Sequence, residues 1–222
     1  MKKVVLAGNP NVGKSVIFTR LSGIYAISSN YPGTTVEVAR SRVNRDGILF
    51  ELIDAPGTYA LESDAEAEKI AEKLIDQADV VINVIDAGNL ERNLYLTFEL
   101  LEKKKPMVIA LNMWDEVQKR GIRINIERLS QVLGIPVIPV VATTGEGMKK
   151  LIQSLDHARI PAIFPSSHQE RWHEIGKVIQ VVQSFSYQKP NWVDRIKEAT
   201  LHPFSGFLVG LGVLYGVFWL VR

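Results

Sequence analysis

The chain has 222 residues, 46% of them apolar, with a formal net charge of +2 and no cysteine. That length allows one large domain or one domain with an appendage, and the apolar share is ample for a packed core. A near-neutral balance without a basic run gives no sign of a nucleic-acid partner. The lack of cysteine excludes disulfides and thiolate metal sites, which suits a reducing compartment.

Val4-Val5-Leu6-Ala7 reads as a buried strand, and the apolar run breaks at Asn9-Pro10 before it reaches signal-peptide length. The N-terminal domain is therefore expected to stay on the side of the membrane where it is made. Gly8-Asn9-Pro10-Asn11-Val12-Gly13-Lys14-Ser15 then fills the phosphate-loop pattern G-x-x-x-x-G-K-[ST]. Its glycines let successive N–H groups face an anion, Lys14 reaches the terminal phosphates, and the Ser15 hydroxyl completes a Mg²⁺ shell. Val16-Ile17-Phe18 opens a helix that adds the positive end of its dipole.

The stretch Ser28–Val36 holds Pro32-Gly33-Thr34-Thr35, suited to a mobile loop with a threonine that closes on Mg²⁺ beside a triphosphate. Thr35 is the choice and Thr34 the competitor. Asp46-Gly47 is a hairpin signal between Glu37–Val43 and Ile48–Ile53, predicting one antiparallel strand at the sheet edge. Asp54-Ala55-Pro56-Gly57 matches D-x-x-G: Asp54 holds a Mg²⁺ water and the Gly57 N–H meets a γ-phosphate. The short apolar runs Leu49–Ile53, Val80–Ile85, Met107–Leu111 and Val137–Val141 alternate with helical periodicity, the pattern of a mostly parallel α/β sheet. Phosphate ligands in such sheets bind at the carboxyl ends of the strands, where these loops fall.

Asn112-Met113-Trp114-Asp115 matches N-x-x-D. A carboxylate at Asp115 accepts from N1–H and the exocyclic amine of guanine, a pairing adenine does not offer, so GTP is favoured. Met113 stands where N-K-x-D has lysine, which leaves a general NTPase open. Val141-Ala142-Thr143-Thr144 follows the last strand, where a backbone N–H near Ala142 meets the guanine carbonyl oxygen. The set describes a Ras-like P-loop GTPase domain. Hydrolysis requires an in-line water and neutralised charge, yet Thr58 follows Gly57 where related GTPases often have glutamine, and no arginine stands out as a finger. A backbone-held water and a monovalent cation would fill that role, the cation held by Asn11 and carbonyls of Ser28–Pro32. Otherwise Asn11 is a turn residue. The catalytic candidates are thus Asn11, Lys14, Thr35 and Gly57, and the Mg²⁺ candidates Ser15, Thr35 and Asp54.

After Pro161 and Pro165 the pattern turns to helix only, with Trp172, Ile175, Val178, Ile179, Val182 and Phe185 at helical spacing and a second short helix around Trp192–Ala199. Phe204–Val221 carries no charge and as a helix reaches about 27 Å, close to the hydrocarbon thickness of a bilayer. Tyr215 and Trp219 suit an interface, and Gly206/Gly210 and Gly212/Gly216 are small-residue pairs that allow close helix contact. The expected partition is a nucleotide domain over 1–160, a helical connector over 161–203 and a first membrane helix over 204–222 of a larger membrane protein. His157, His168, His173 and His202 are scattered and read as surface histidines.

GNPNVGKS (8–15), YPGTTVE (31–37), DAPGTY (54–59), VINVIDAGNLERNLYLTFELLE (81–102), KPMVIALNMWDE (105–116) and LHPFSG (201–206) together resemble the N-terminal region of the ferrous iron transport protein B (FeoB) family of bacterial and archaeal membrane proteins. The resemblance implies a cytoplasmic GTPase domain with GTP/GDP and Mg²⁺, tied through a helical domain to a polytopic region that moves Fe²⁺ inward across the cell inner (plasma) membrane. It implies slow hydrolysis stimulated by K⁺ through Asn11. Implied partners are the membrane, the chain's own C-terminal membrane region, a small accessory iron-transport protein and a second copy of the chain, with no nucleic acid. The helical segment over 166–200 is shorter than the family's multi-helix domain. Competing readings are a soluble assembly GTPase acting on RNA or ribosomes, which predicts a basic appendage, and a nucleotide-sensing switch with little turnover.

Overall fold

Strand residues here are apolar on both faces, and the chain covers both. In the computed structural model, which describes residues 1–23, 27–45, 47–61, 65–160, 168–185, 200–201 and 203–221, a seven-stranded sheet lies between two layers of helices. The order along the chain is β1 (Lys2–Gly8), α1 (Lys14–Ser22), β2 (Ile27–Asn30), β3 (Glu37–Arg45), β4 (Ile48–Asp54), α2 (Glu66–Asp76), β5 (Val80–Asp86), α3 (Leu90–Glu102) and β6 (Met107–Asn112). It continues with α4 (Trp114–Lys119), β7 (Ile122–Ile124), α5 (Ile126–Leu133), β8 (Val137–Pro139), α6 (Met148–Ser154), α7 (His168–Val182), β9 (Gln183–Phe185) and a last helix, α8 (Pro203–Val221).

The strands run β2-β3-β4-β1-β5-β6-β8. From β4 to β8 all pairings are parallel, with Val5 opposite Ile53 on one side and Val81 on the other. Alternation along β1 shows how the layers divide: Val5 and Ala7 pack with residues of α2, α3, α5 and α7, while Val4 and Leu6 pack with α1 and α6. The parallel register brings the carboxyl ends of β1, β4 and β6 to one edge of the sheet, which is where the motif loops leave.

The antiparallel edge is present and is one strand wider than the hairpin signal specified. β3 pairs antiparallel with β4, and β2, inside the stretch expected to be a mobile loop, pairs antiparallel with β3. Only residues 31–36 of that stretch form the connecting turn. The last sheet strand ends at Pro139, two residues before its predicted limit: the Val140 N–H still donates to Leu111 O at 2.9 Å, but Val141 pairs with Glu146 instead of the sheet. Nor is the region after 161 helix only. β9 pairs antiparallel with β7, and Phe185, read as part of a helical stripe, is a strand residue with 76% of its surface exposed.

By its contacts the first compact unit runs from Met1 to Ser186 and therefore includes α7. Ile175, Val178 and Val182 are the buried face of that helix, as their spacing predicts, and Trp172 packs on Tyr95 of α3 with the rings tilted by 32° and their centroids 5.3 Å apart. A charge cluster pins α7 to α3. Arg171, 1% exposed, donates from Nη1 to Glu99 at 3.0 Å and from Nε and Nη2 to the two oxygens of Glu102 at 3.2 Å each. The other oxygen of Glu99 accepts the Leu61 N–H at 2.6 Å, so the segment that follows Gly57 is tied to the same cluster. A buried guanidinium is sustained by this number of charge-assisted bonds.

The second unit, Tyr187–Arg222, contains α8. The helix predicted around Trp192–Ala199 lies outside the described residues. α8 is 19 residues long, and Phe207, Leu214, Phe218 and Leu220 are exposed on it. Among the described residues no helix is long and apolar enough to cross a membrane. The side chains of Pro203, Phe204, Ser205 and Leu208 are outside that count, so what is seen of the span expected over 204–222 is an uncharged helical segment.

Candidate nucleotide site

The phosphate loop takes its shape from two left-handed residues. Asn11 has φ 67° and Gly13 φ 84°, and asparagine is among the few residues with a Cβ that enter this region readily. Position 13 excludes any side chain for a second reason: a Cβ there would stand 2.3 Å from the amide nitrogen of Asn112. Gly8 is equally constrained, since a Cβ would lie 2.5 Å from the carbonyl oxygen of Val84. α1 starts directly after Gly13 with no side-chain cap, which leaves its first-turn N–H groups for an anion.

β4 delivers Asp54 opposite this helix start. The Lys14 ammonium is paired with Asp54 Oδ1, and Ser15 Oγ donates to Asp54 Oδ2 at 3.2 Å. Ala55 N–H to Leu6 O at 3.1 Å and Thr58 N–H to Gly8 O at 3.3 Å carry the parallel pairing past the strand ends. They seat Gly57 against Pro10, with a Cβ position 3.3 Å from the Pro10 Cα. Asn9, Pro10, Asn11, Gly13, Lys14, Ser15, Val16 and Gly57 line one cavity of about 320 Å³, within the range of small-ligand sites. Val12 faces inward to the core.

The two threonines of 31–36 are in different states. Thr34 Oγ1 donates to Tyr31 O at 2.9 Å and accepts the Val36 N–H at 3.3 Å, closing the turn in which Gly33 is left-handed. Thr35 is exposed. The hydroxyl of Thr34 thus builds the turn, whereas Thr35 is a solvent-exposed residue of it.

On the base side, Asn112 is a brace. Its Nδ2 donates to Val12 O at 2.8 Å and its Oδ1 accepts the Ala142 N–H at 3.0 Å, with the residue 3% exposed. This alters one expectation: the Ala142 N–H is engaged by Asn112 here. Met113 is left-handed, φ 59°, and turns the chain into α4, where Asp115 sits in the first turn with its carboxylate half-exposed and accepting from Lys119 at 3.1 Å. Val141 forms a bridge with Glu146 that closes the 141–146 turn.

Arg20 is a functional-site residue with no signal in the local sequence. Its Nε donates to Ala142 O at 3.0 Å and its Nη2 donates to Thr143 O. Nothing in the pattern around position 20 marks it apart from an ordinary solvated helix arginine. Arg92, in the run that carries the family resemblance, lies over the Tyr59 ring at 4.7 Å from its centroid and shares a second, smaller cavity with Asn9 and Asn11. His157 and His173 are exposed, and among the described residues no cluster of His, Cys, Asp and Glu is arranged to hold a metal.

The family model for ferrous iron transport protein B matches residues 2–155. The Fe(2+) transporter FeoB of Escherichia coli (strain K12) is 43% identical over 164 residues, which are 70% of this chain and 21% of that protein. An Fe(2+) transport protein A/Fe(2+) transporter FeoB fusion protein of Porphyromonas gingivalis is 44% identical over 156 residues, 69% of this chain and 18% of the fusion. The chain thus spans about a fifth of the length of the curated relatives it matches. Among solved structures, the cytosolic domain of L. pneumophila FeoB has a TM-score of 0.77 at 29% identity, over 82% of this chain and 100% of that one. An S. thermophilus NFeoB mutant bound to GDP has a TM-score of 0.77 at 27% identity, over 83% and 100%.

Proposed function

The chain belongs to the ferrous iron transport protein B family, and we propose that its residues 1–160 bind and hydrolyse GTP as the cytoplasmic domain of an Fe²⁺ uptake protein of the cell inner (plasma) membrane. The observation that carries the reading is the meeting of Lys14, Ser15 and Asp54 at the mouth of the phosphate loop, with Asn112 joining that loop to the base side.

On entry of a triphosphate, Lys14 exchanges the Asp54 carboxylate for the terminal phosphate oxygens, and the α1 N–H groups take the remaining charge. The Gly57 N–H then meets the γ-phosphate, and backbone groups around Thr58 hold the attacking water in line. Asp115 accepts from N1–H and the exocyclic amine of guanine, leaving Lys119 to do so. Ser15, Thr35 and Asp54 would hold Mg²⁺, which neutralises phosphate charge when bound, and the 3.2 Å approach of a hydroxyl and a carboxylate suits a hard cation. Asn11 lines the phosphate cavity with a neutral amide, a ligand type that suits K⁺. Residues 161–203 form the connector, whose α7 packs on α3, and 204–222 begin the first membrane helix. The fused relative makes a small accessory iron-transport protein the partner to test first.

Steady-state phosphate release from GTP and ATP, in matched KCl and NaCl, tests the domain's part. The expected result is GTP-selective turnover that rises in K⁺ and loses that rise in Asn11→Ala. Equal rates in both salts contradict the role of Asn11, and equal use of ATP contradicts the guanine assignment. For the whole protein, Fe²⁺ uptake that persists in Lys14→Ala and Asp115→Ala would overturn the link to transport.

A further inference from the structure

We propose that Arg20 is a positioning residue for base recognition: by clamping Ala142 and Thr143 from α1 it fixes the wall of the base pocket and sets selectivity for guanine. The inference rests on the guanine-nucleotide reading above. Arg20 lies in the last turn of the helix whose first turn carries Lys14 and Ser15. Its fork spans two successive carbonyls, Nε to Ala142 O at 3.0 Å and Nη2 to Thr143 O, a geometry that a lysine ammonium does not reproduce. A Cβ at the left-handed Gly145 would lie 3.6 Å from Nη1, so the guanidinium also rests against the turn that ends the loop.

The consequence follows from peptide geometry. In a trans peptide the carbonyl and the next N–H point in opposite directions. Drawing Ala142 C=O toward Arg20 therefore turns the Thr143 N–H away from α1, while the Ala142 N–H is held by Asn112 at 3.0 Å. The loop is thus fixed from two sides, by Asn112, which also holds Val12, and by Arg20 on the helix that follows it. One helix carries the phosphate ligands at its start and the clamp of the base loop at its end. The spacing between phosphate and base ends is then set by α1, and a nucleotide satisfies both ends only if its base matches the Thr143 N–H and Asp115.

Loss of the guanidinium loosens the base end of the site. Titration calorimetry of the chain and its Arg20→Ala and Arg20→Lys variants with GDP, ADP and inorganic tripolyphosphate tests this, with thermal melts to confirm folding. The expected result for Arg20→Ala is about tenfold weaker GDP binding, the scale of losing charge-assisted bonds at a partly exposed site. ADP and tripolyphosphate should change by less than about twofold, so that the GDP-to-ADP ratio collapses, and Arg20→Lys should be intermediate. Equal losses for all three ligands would overturn the proposal, because they would mean general damage to α1, and so would an unchanged GDP affinity. A native chain that binds GDP and ADP alike would instead bring down the guanine reading itself, which separates the two failures.

Discussion

Residues 8–15, with Asp54 and Gly57 brought against them, build the phosphate end of the site mainly from backbone turns and a helix start, whereas the base end is drawn from Arg20, Asn112, Asp115 and the 141–143 loop. The first is held mainly by local geometry. The second is held by side chains reaching across 100 positions of sequence from Asn112 to Val12 and 122 from Arg20 to Ala142. The segment after Gly57 follows the second pattern, since Leu61 is tied to Glu99 and through it to Arg171 on α7. A local motif tolerates change elsewhere in the chain, while a long-range tether fails when either of its ends is lost.

The largest effect should come from the most buried tether. Arg171→Met removes the buried cation that faces Glu99 and Glu102 and leaves Glu99 to neutral donors such as the Leu61 N–H, and denaturant unfolding should show a loss of about 3–5 kcal/mol. A loss under about 1 kcal/mol would mean that the cluster is not a rigid tether. At the local end, Lys14→Ala removes a phosphate-directed charge and should lower GTP turnover by about 10²–10³-fold, with a smaller loss of stability than Arg171→Met because Asp54 keeps its bond from Ser15. Comparable loss of stability would blur the distinction between the two ends. On the base side, Asp115→Ala should weaken GDP by about 1.5–3 kcal/mol in equilibrium binding and leave tripolyphosphate unaffected. The smallest effect separates the threonines: Thr34→Ala should cost about 0.5–1.5 kcal/mol of stability through the 31–36 turn, while Thr35→Ala should lower turnover and leave the melting curve in place. The reverse outcome would exchange their roles.

The same division explains what was legible in the sequence. The parallel sheet, the phosphate loop and the D-x-x-G and N-x-x-D turns are written in contiguous residues with fixed spacing, and all are where the pattern placed them. Asn112 was legible as part of the base motif, but its bond to Val12 depends on β6 standing beside the phosphate loop, which no local pattern records. Arg20, Glu99 and Arg171 look like solvated helix residues until the fold brings their partners near. β2 was hidden in a turn-rich stretch, because four residues pairing on an edge leave little periodicity. β9 and the exposed Phe185 show the opposite error, an apolar residue that extends a helical spacing by coincidence.

The base end offers the most direct test of the central claim that this is a guanine-nucleotide site. Guanine presents two donors to a carboxylate, whereas xanthine presents one donor and a carbonyl at the neighbouring position, which matches an amide. Equilibrium binding of GDP and xanthosine diphosphate should therefore favour GDP for the native chain and invert in Asp115→Asn. A preference that is the same in both proteins would contradict the account, because Asp115 would then not be reading the base.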